Sequence, residues 1–220
     1  GNISSAQKYL DRMDNIGPTY EKLVIEYQNR FYRILEITGF SIEELNQKTK
    51  EIGEVHVSNL ALDRISKICA DLKPRKQNPK KRRILHVSSS MGRGGAERQL
   101  INCLRGFRTR KRSREIGLCT YANQGDESLL SEVIEMGVEI HEYGQNEDLD
   151  NKIREQGLEF ISDLIKLLPQ RFAQDFVQLV GIFNEKRPNI VNSWQDGTNI
   201  VAGYAALVSR VPTVLMFGRS

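Results

Sequence analysis

The stretch that most limits what this chain can fold into is residues 83–107, RILHVSSSMGRGGAERQLINCLRGF. A short apolar run ends in serines. Three glycines then fall within four residues, and an apolar stripe of helical spacing begins at once. Residues 84–88 have the pattern of a short buried strand. Ala96, Leu100, Cys103, Leu104 and Phe107 fall on one face of a helix over residues 96–107. A buried strand turning directly into a helix is half of a βαβ unit, and such units build parallel sheets covered by helices.

The alternation continues downstream. Strands are expected at residues 116–121, 138–143, 190–193 and 213–217, and helices at 126–136, 158–186 and 199–209. Pro169 should divide the long helical region and Pro188 should end it. Phe172, Phe176, Leu179, Val180 and Phe183 should face the core from its second half. Strands joined by right-handed helical crossovers predict an α/β fold, a doubly wound Rossmann-like parallel sheet over residues 84–220.

Residues 1–72 read differently, as an α-helical segment. Leu23, Tyr27, Phe31 and Ile34 form one stripe of a helix over residues 19–38. Ser41 with Glu44 has the pattern of a capping box, with a helix running to about Ile52. Ser58 is expected to cap another, with Leu62, Ile65 and Ile68 on its inner face. Gly17-Pro18 and Gly39 punctuate the helices. Residues 73–83 hold two prolines and no apolar side chain, the composition of an exposed linker, and the domain boundary is expected there.

An apolar content of 39% and a charged content of 27% fit a soluble globular chain. Net charge is only +4, but its distribution is uneven. Residues 73–83 hold seven basic residues and residues 105–114 hold six, with no acid in either; the remainder is net acidic. Three readings of these clusters stand: solvated surface, attraction to an anionic membrane surface, and nucleic-acid binding. The clusters lack interleaved aromatics and any base-reading motif, so no nucleic acid is expected as a partner. Cys69, Cys103 and Cys119 are far apart and form no Cys-x-x-Cys pair, so buried free thiols in a reducing compartment are expected. The opening residues lack the apolar core of a signal peptide. The longest apolar stretch, residues 200–218, is broken by Ser209, Arg210 and Pro212, which argues against a membrane span. A cytoplasmic location, peripheral at the inner face of the membrane, is the expectation. His56, His86 and His141 have no partner at metal or triad spacing, so no metal site is expected.

In a parallel sheet, ligands sit beyond the carboxyl ends of the strands. Gly92, Gly94 and Gly95 occupy that position after the first strand. Glycines free the backbone angles and add no bulk, so amides can approach a ligand closely. The following helix N-terminus adds unpaired donors and partial positive charge, an arrangement suited to phosphate. The same glycines would also serve a plain strand-to-helix turn, and residue types alone leave both readings open. Two narrower motifs fail. A dinucleotide fingerprint would place its third glycine where Glu97 stands, and a Walker A loop needs a Gly-Lys-Ser/Thr that is absent. Glu97 itself suits either a cap or a ligand role.

ILHVSSSMGRGGAERQL, residues 84–100, resembles the first strand, glycine-rich loop and first helix of retaining glycosyltransferases of the GT-B fold, family 4-like enzymes of polysaccharide biosynthesis. The Gly-Gly-Ala-Glu of residues 94–97 carries most of the likeness. RPNIVNSWQDGTNIVAGYAALVSRVPTVLMFGRS, residues 187–220, resembles that family's later strand–helix–strand. The resemblance covers residues 83–220 and not residues 1–72.

What it implies is an N-terminal, acceptor-side domain. The donor is a nucleotide sugar. The acceptor is a saccharide or lipid-linked molecule, in assembly of a surface polysaccharide such as lipopolysaccharide. The resemblance assigns Gly92, Arg93, Gly94 and Gly95 to the donor phosphates, and Ser193, Trp194, Asp196, Asn199 and Arg219 to the acceptor side. Trp194, the only tryptophan, could stack on a sugar or pack in a core. Asp196 could contact a ligand or cap the helix before Asn199. Relatives carry histidines where this chain has Asn192, Trp194 and Gly197, so no catalytic residue transfers. The family's second domain and later strands of the first have no counterpart in these 220 residues, so the expectation is a fragment inactive alone. No cofactor beyond the substrate nucleotide sugar is implied. The competing expectation is a non-catalytic Rossmann-like scaffold or docking module.

Overall fold

A computed structural model describes residues 2–13, 21–76, 82–109, 114–122 and 129–218. The chain divides into two compact units. The first comprises residues 1–70 together with Phe160–Gln170, and the second comprises Asp71–Glu159 and Arg171–Ser220.

The first unit is helical: α1 Ile3–Met13, α2 Glu21–Thr38, α3 Ile42–Ile52, α4 Val57–Cys69 and the short α8 Ser162–Lys166, which follows a 3-10 turn at Glu159–Ile161. Its core gathers Ile3, Leu10, Phe31, Leu35, Phe40, Leu45, Val55 and Leu60, with Leu167 packed against it. Segment 160–170, expected to belong to the Pro169-divided helical region of the α/β part, thus contributes to the helical unit. The α2 stripe is rotated from the expected one: Phe31 and Leu35 are buried, Ile34 is partly buried, and Tyr27 is 56% exposed. At Ser41 the capping box forms, with Glu44 N–H donating to Ser41 Oγ at 3.1 Å and Ser41 N–H donating to Glu44 Oε2 at 2.8 Å. The expected Ser58 cap does not form. His56 is the N-cap of α4, without a side-chain bond, and the inner face is Leu60, Ala61, Ile65 and Cys69 rather than Leu62 and Ile68. Gly39 ends α2 at φ +69°, a conformation glycine adopts without penalty. Gly17-Pro18 lies outside the described residues.

The second unit is an α/β fold with a five-stranded, all-parallel sheet flanked by helices, a Rossmann-like arrangement. Its strands are β1 Arg82–Ser88, β2 Arg114–Tyr121, β3 Glu139–Tyr143, β4 Ile190–Trp194 and β5 Thr213–Phe217, in spatial order β3-β2-β1-β4-β5. The helices are α5 Gly95–Thr109, α6 Leu130–Glu135, α7 Leu149–Glu155, α9 Gln170–Lys186 and α10 Asp196–Val208. Of these, α7 was not expected; Asp148 caps it, accepting from the N–H groups of Asp150 and Asn151. The edge strand β5 is mostly exposed, whereas around β4 both faces of the sheet are covered, and alternate residues of β4 show how. Asn192 bonds His86, whose ring lies 5.8 Å from Phe107 on α5, while Ser193 bonds Asn199 on α10.

Residues 73–76 do not behave as a free tether. Arg75 N–H donates to Arg210 O at 2.9 Å, and its guanidinium donates to Phe183 O at 3.3 Å and to Asn184 Oδ1. Residues 77–81 and 110–113, which carry the middle of the first basic cluster and half of the second, lie outside the described residues. Cys69 and Cys119 are buried free thiols and Cys103 is half-buried. No described helix is long and apolar enough to cross a membrane.

Candidate functional site

Strand order reverses direction between β1 and β4, since β1 leads outward to β2 and β4 leads outward to β5. A crevice at the carboxyl ends of those two strands is where a doubly wound sheet receives ligands. Ser88 pairs with Trp194 in register, so the loops after both strands leave the sheet side by side.

The loop after β1 is anchored at Met91. Met91 is fully buried, in one apolar cluster with Leu100, Leu118 and Trp194. Its carbonyl accepts Leu129 N–H at 2.6 Å. Ser88 Oγ donates to Ser90 O at 2.7 Å, and Gly92 N–H donates to Ser90 Oγ at 3.1 Å, which tightens the bend. From there the chain turns outward: Gly92 is half-buried, and Arg93, Gly94 and Gly95 are exposed. Arg98 N–H donates to Gly94 O at 3.2 Å and closes the first turn of α5. The N–H groups at that end have no intrahelical acceptor.

The glycines are used differently from expectation. None of Gly92, Gly94 or Gly95 has a positive φ, so left-handed freedom is not what the loop needs. At Gly94 a Cβ would lie 2.3 Å from Glu97 Oε2, so any larger residue there would have to move the Glu97 carboxylate. Around Gly95 a Cβ would meet nothing within 4 Å.

The strained residue at this rim is Gln195, with φ +77° and ψ +145°. That region is almost restricted to glycine. Its side chain ties the two loops together: Ser89 Oγ donates to Gln195 Oε1 at 2.7 Å, and Gln195 Nε2 donates to Glu97 Oε1 at 2.6 Å. Glu97 is buried, with its carboxylate folded back over Gly94. Glu97 thus bridges the first turn of α5 to the loop after β4.

The residues assigned to the acceptor side sort into two groups. Ser193 is buried and donates to Asn199 Oδ1 at 2.8 Å, and Asn199 Nδ2 donates to Phe217 O at 3.1 Å. Those bonds hold β4, α10 and β5 together. Trp194 is 6% exposed and stacks on Phe217 at 4.7 Å between ring centroids, inside the core rather than facing solvent. Asp196 is exposed at the first position of α10 and is not its cap; that place belongs to Gln195, which makes no capping side-chain bond. Arg219 lies outside the described residues.

A second polar cluster occupies the same rim and is not signalled by any motif. Tyr121 and Tyr143 end β2 and β3 with their rings in edge contact at 4.7 Å. Tyr121 Oη donates to Asp175 Oδ2, and Arg171 lies over the Tyr121 ring at 4.4 Å while donating to Gly144 O at 2.8 Å. Burial raises the Asp175 carboxyl above the usual carboxylate range, against the opposing pull of Tyr121 and Arg171. The only hint in the sequence is an acid and a base four residues apart within the apolar stripe of α9.

His86 is fully buried, with Asn192 Nδ2 3.2 Å from its Nδ1, and burial pushes its pKa down to about 4. No group of three or more potential metal ligands occurs among the described residues. In comparisons with protein-family models and with curated proteins, nothing matches this chain.

Proposed function

We propose that the α/β unit is the acceptor-side half of a retaining GT-B glycosyltransferase. The enzyme would move a sugar from a nucleotide sugar to a saccharide or lipid-linked acceptor, in surface polysaccharide assembly at the inner face of a membrane. The observation that carries this reading is the exposed turn at Arg93, Gly94 and Gly95, at the strand-order reversal and backed by the first N–H groups of α5, which have no intrahelical acceptor. Gly95 supports it further, since nothing among the described residues demands a glycine there while a close-approaching diphosphate would. In such a site catalysis rests on stabilising the departing diphosphate and on positioning the acceptor.

A second reading is a non-catalytic scaffold. It draws on the Glu97 carboxylate, which already sits over the start of α5, and on Ser193, Trp194 and Asn199, which are committed to internal packing. Calorimetric titration of the chain with a panel of UDP- and GDP-sugars separates the two. The transferase reading expects binding of at least one, weakened at least tenfold by Gly95→Val. Absence of binding across the panel at millimolar ligand would favour the scaffold.

A further inference from the structure

The amino ends of the strands, at the opposite rim of the sheet, carry a different feature. A cavity of 730 Å³ opens there, bounded by the starts of β1 and β2 at Arg83 and Glu115 and by the entries to β4 and β5 at Pro188, Asn189 and Pro212. Its charge is one-sided. Lys73, Arg75 and Lys76 enter from the segment before β1, and Lys186, Arg187 and Arg210 from the ends of α9 and α10. With Arg83 this makes seven basic side chains against two carboxylates, Glu115 and Glu185. Both carboxylates are already paired, Glu115 with Arg83 and Glu185 with Lys186 at 2.8 Å.

Among the described residues Arg75 has only neutral acceptors, Phe183 O and Asn184 Oδ1. Lys73, Lys76, Arg187 and Arg210 have no side-chain partner among the described residues. Burial and then repulsion from Arg210 and Arg187 hold the Arg75 guanidinium below its ordinary value, the mark of like charges gathered without a counter-ion. Helix dipoles favour cations at the ends of α9 and α10, but they do not account for the three that arrive from residues 73–76. Backbone geometry adds an independent sign. Arg187 and Arg210 both sit just past a helix end at positive φ, +49° and +55°, where glycine is the usual residue. At both places the less strained residue is replaced by one that brings a guanidinium to the cavity.

We propose that this cavity is a binding site for a multiply charged phosphate group, separate from the glycine-loop rim. Guanidinium forks from Arg75, Arg187 and Arg210 would grip phosphate oxygens, with Lys73 and Lys76 closing the open side as point charges. The phosphate could be free in solution or belong to a lipid headgroup, and the two arms of the test tell these apart.

The positive φ values supply a clean variant. Arg187→Gly combined with Arg210→Gly removes two cations and relaxes the backbone, so folding is preserved or improved. The full 220-residue chain is titrated with inorganic tripolyphosphate at low salt, and co-sedimented with phosphatidylcholine vesicles with and without phosphatidic acid. At least one arm is expected to show binding that weakens with salt and falls tenfold or more in the double glycine variant. In Lys50→Gln combined with Arg154→Gln, which removes two exposed charges elsewhere, affinity stays within twofold. Tripolyphosphate binding identifies a free phosphate as the guest; binding only to phosphatidic acid vesicles identifies a headgroup. Failure of both arms, or binding that survives the double glycine variant, overturns the proposal. Neither result bears on nucleotide-sugar binding at the opposite rim.

Discussion

Gln195 donates its amide to the Glu97 carboxylate at 2.6 Å, across the crevice between the loops that follow β4 and β1. That bond, with the one Gln195 accepts from Ser89, fixes the width of the crevice mouth. It is made by a residue held in a glycine-like backbone conformation, so strain at one position is exchanged for order at two loops.

Two substitutions at this position separate the strain from the bridge. Gln195→Ala and Gln195→Gly both remove the side-chain bonds, and only glycine relieves the positive φ. The glycine variant is expected to be more stable than the alanine variant by about 1–2 kcal/mol. Urea denaturation of the pair measures the difference.

The glycines of the turn should behave unequally. Gly94→Ala forces the Glu97 carboxylate aside and disrupts its bond to Gln195, with an expected loss of about 1–3 kcal/mol. Gly95→Ala meets open space and should change stability by no more than about 0.5 kcal/mol. Thermal unfolding of both variants tests this contrast.

His86 makes stability depend on pH. An unfolded histidine titrates near 6.5, whereas burial holds folded His86 down to about 4. Between those values the unfolded chain binds a proton that the folded chain refuses. The contribution is whole above pH 6.5 and is lost as pH falls towards 4, by about 3 kcal/mol in total. Denaturation at pH 7 and at pH 4 should show this loss, and His86→Gln should flatten it.

In the helical unit, Ser41→Ala removes one half of the capping box of α3 and should cost about 1 kcal/mol. Circular dichroism during denaturation provides the measurement.

How much was legible in the sequence follows from which forces act locally. The run 213–217 forms β5 over those same residues, and the Ser41–Glu44 pair forms its box, because strand propensity and capping are written in neighbouring residues. Tyr27 defeated the stripe reading: Phe31 and Leu35 set the buried face of α2, and which of two overlapping stripes turns inward depends on partners distant in sequence. Pro169 was correctly placed as a break, yet the residues before it pack into the helical unit, a tertiary outcome with no local mark. At the rim, the glycine turn and its place after β1 could be read directly. Gln195 could not, because strain at a non-glycine residue has no sequence signature. Asp175 was hidden in an otherwise apolar helix face, where only its Tyr121 and Arg171 partners make its burial tolerable.

The central claim concerns where a nucleotide diphosphate goes. Amide chemical-shift mapping of the isotope-labelled chain, titrated with UDP-glucose and then with GDP-mannose, addresses it directly. At least one ligand should shift the amides of Gly92, Arg93, Gly94, Gly95 and Gln195 most strongly, with the strand starts near Arg83 unmoved. Shifts confined to the rim around Arg83 and Arg210, or none with either ligand at millimolar concentration, would contradict it.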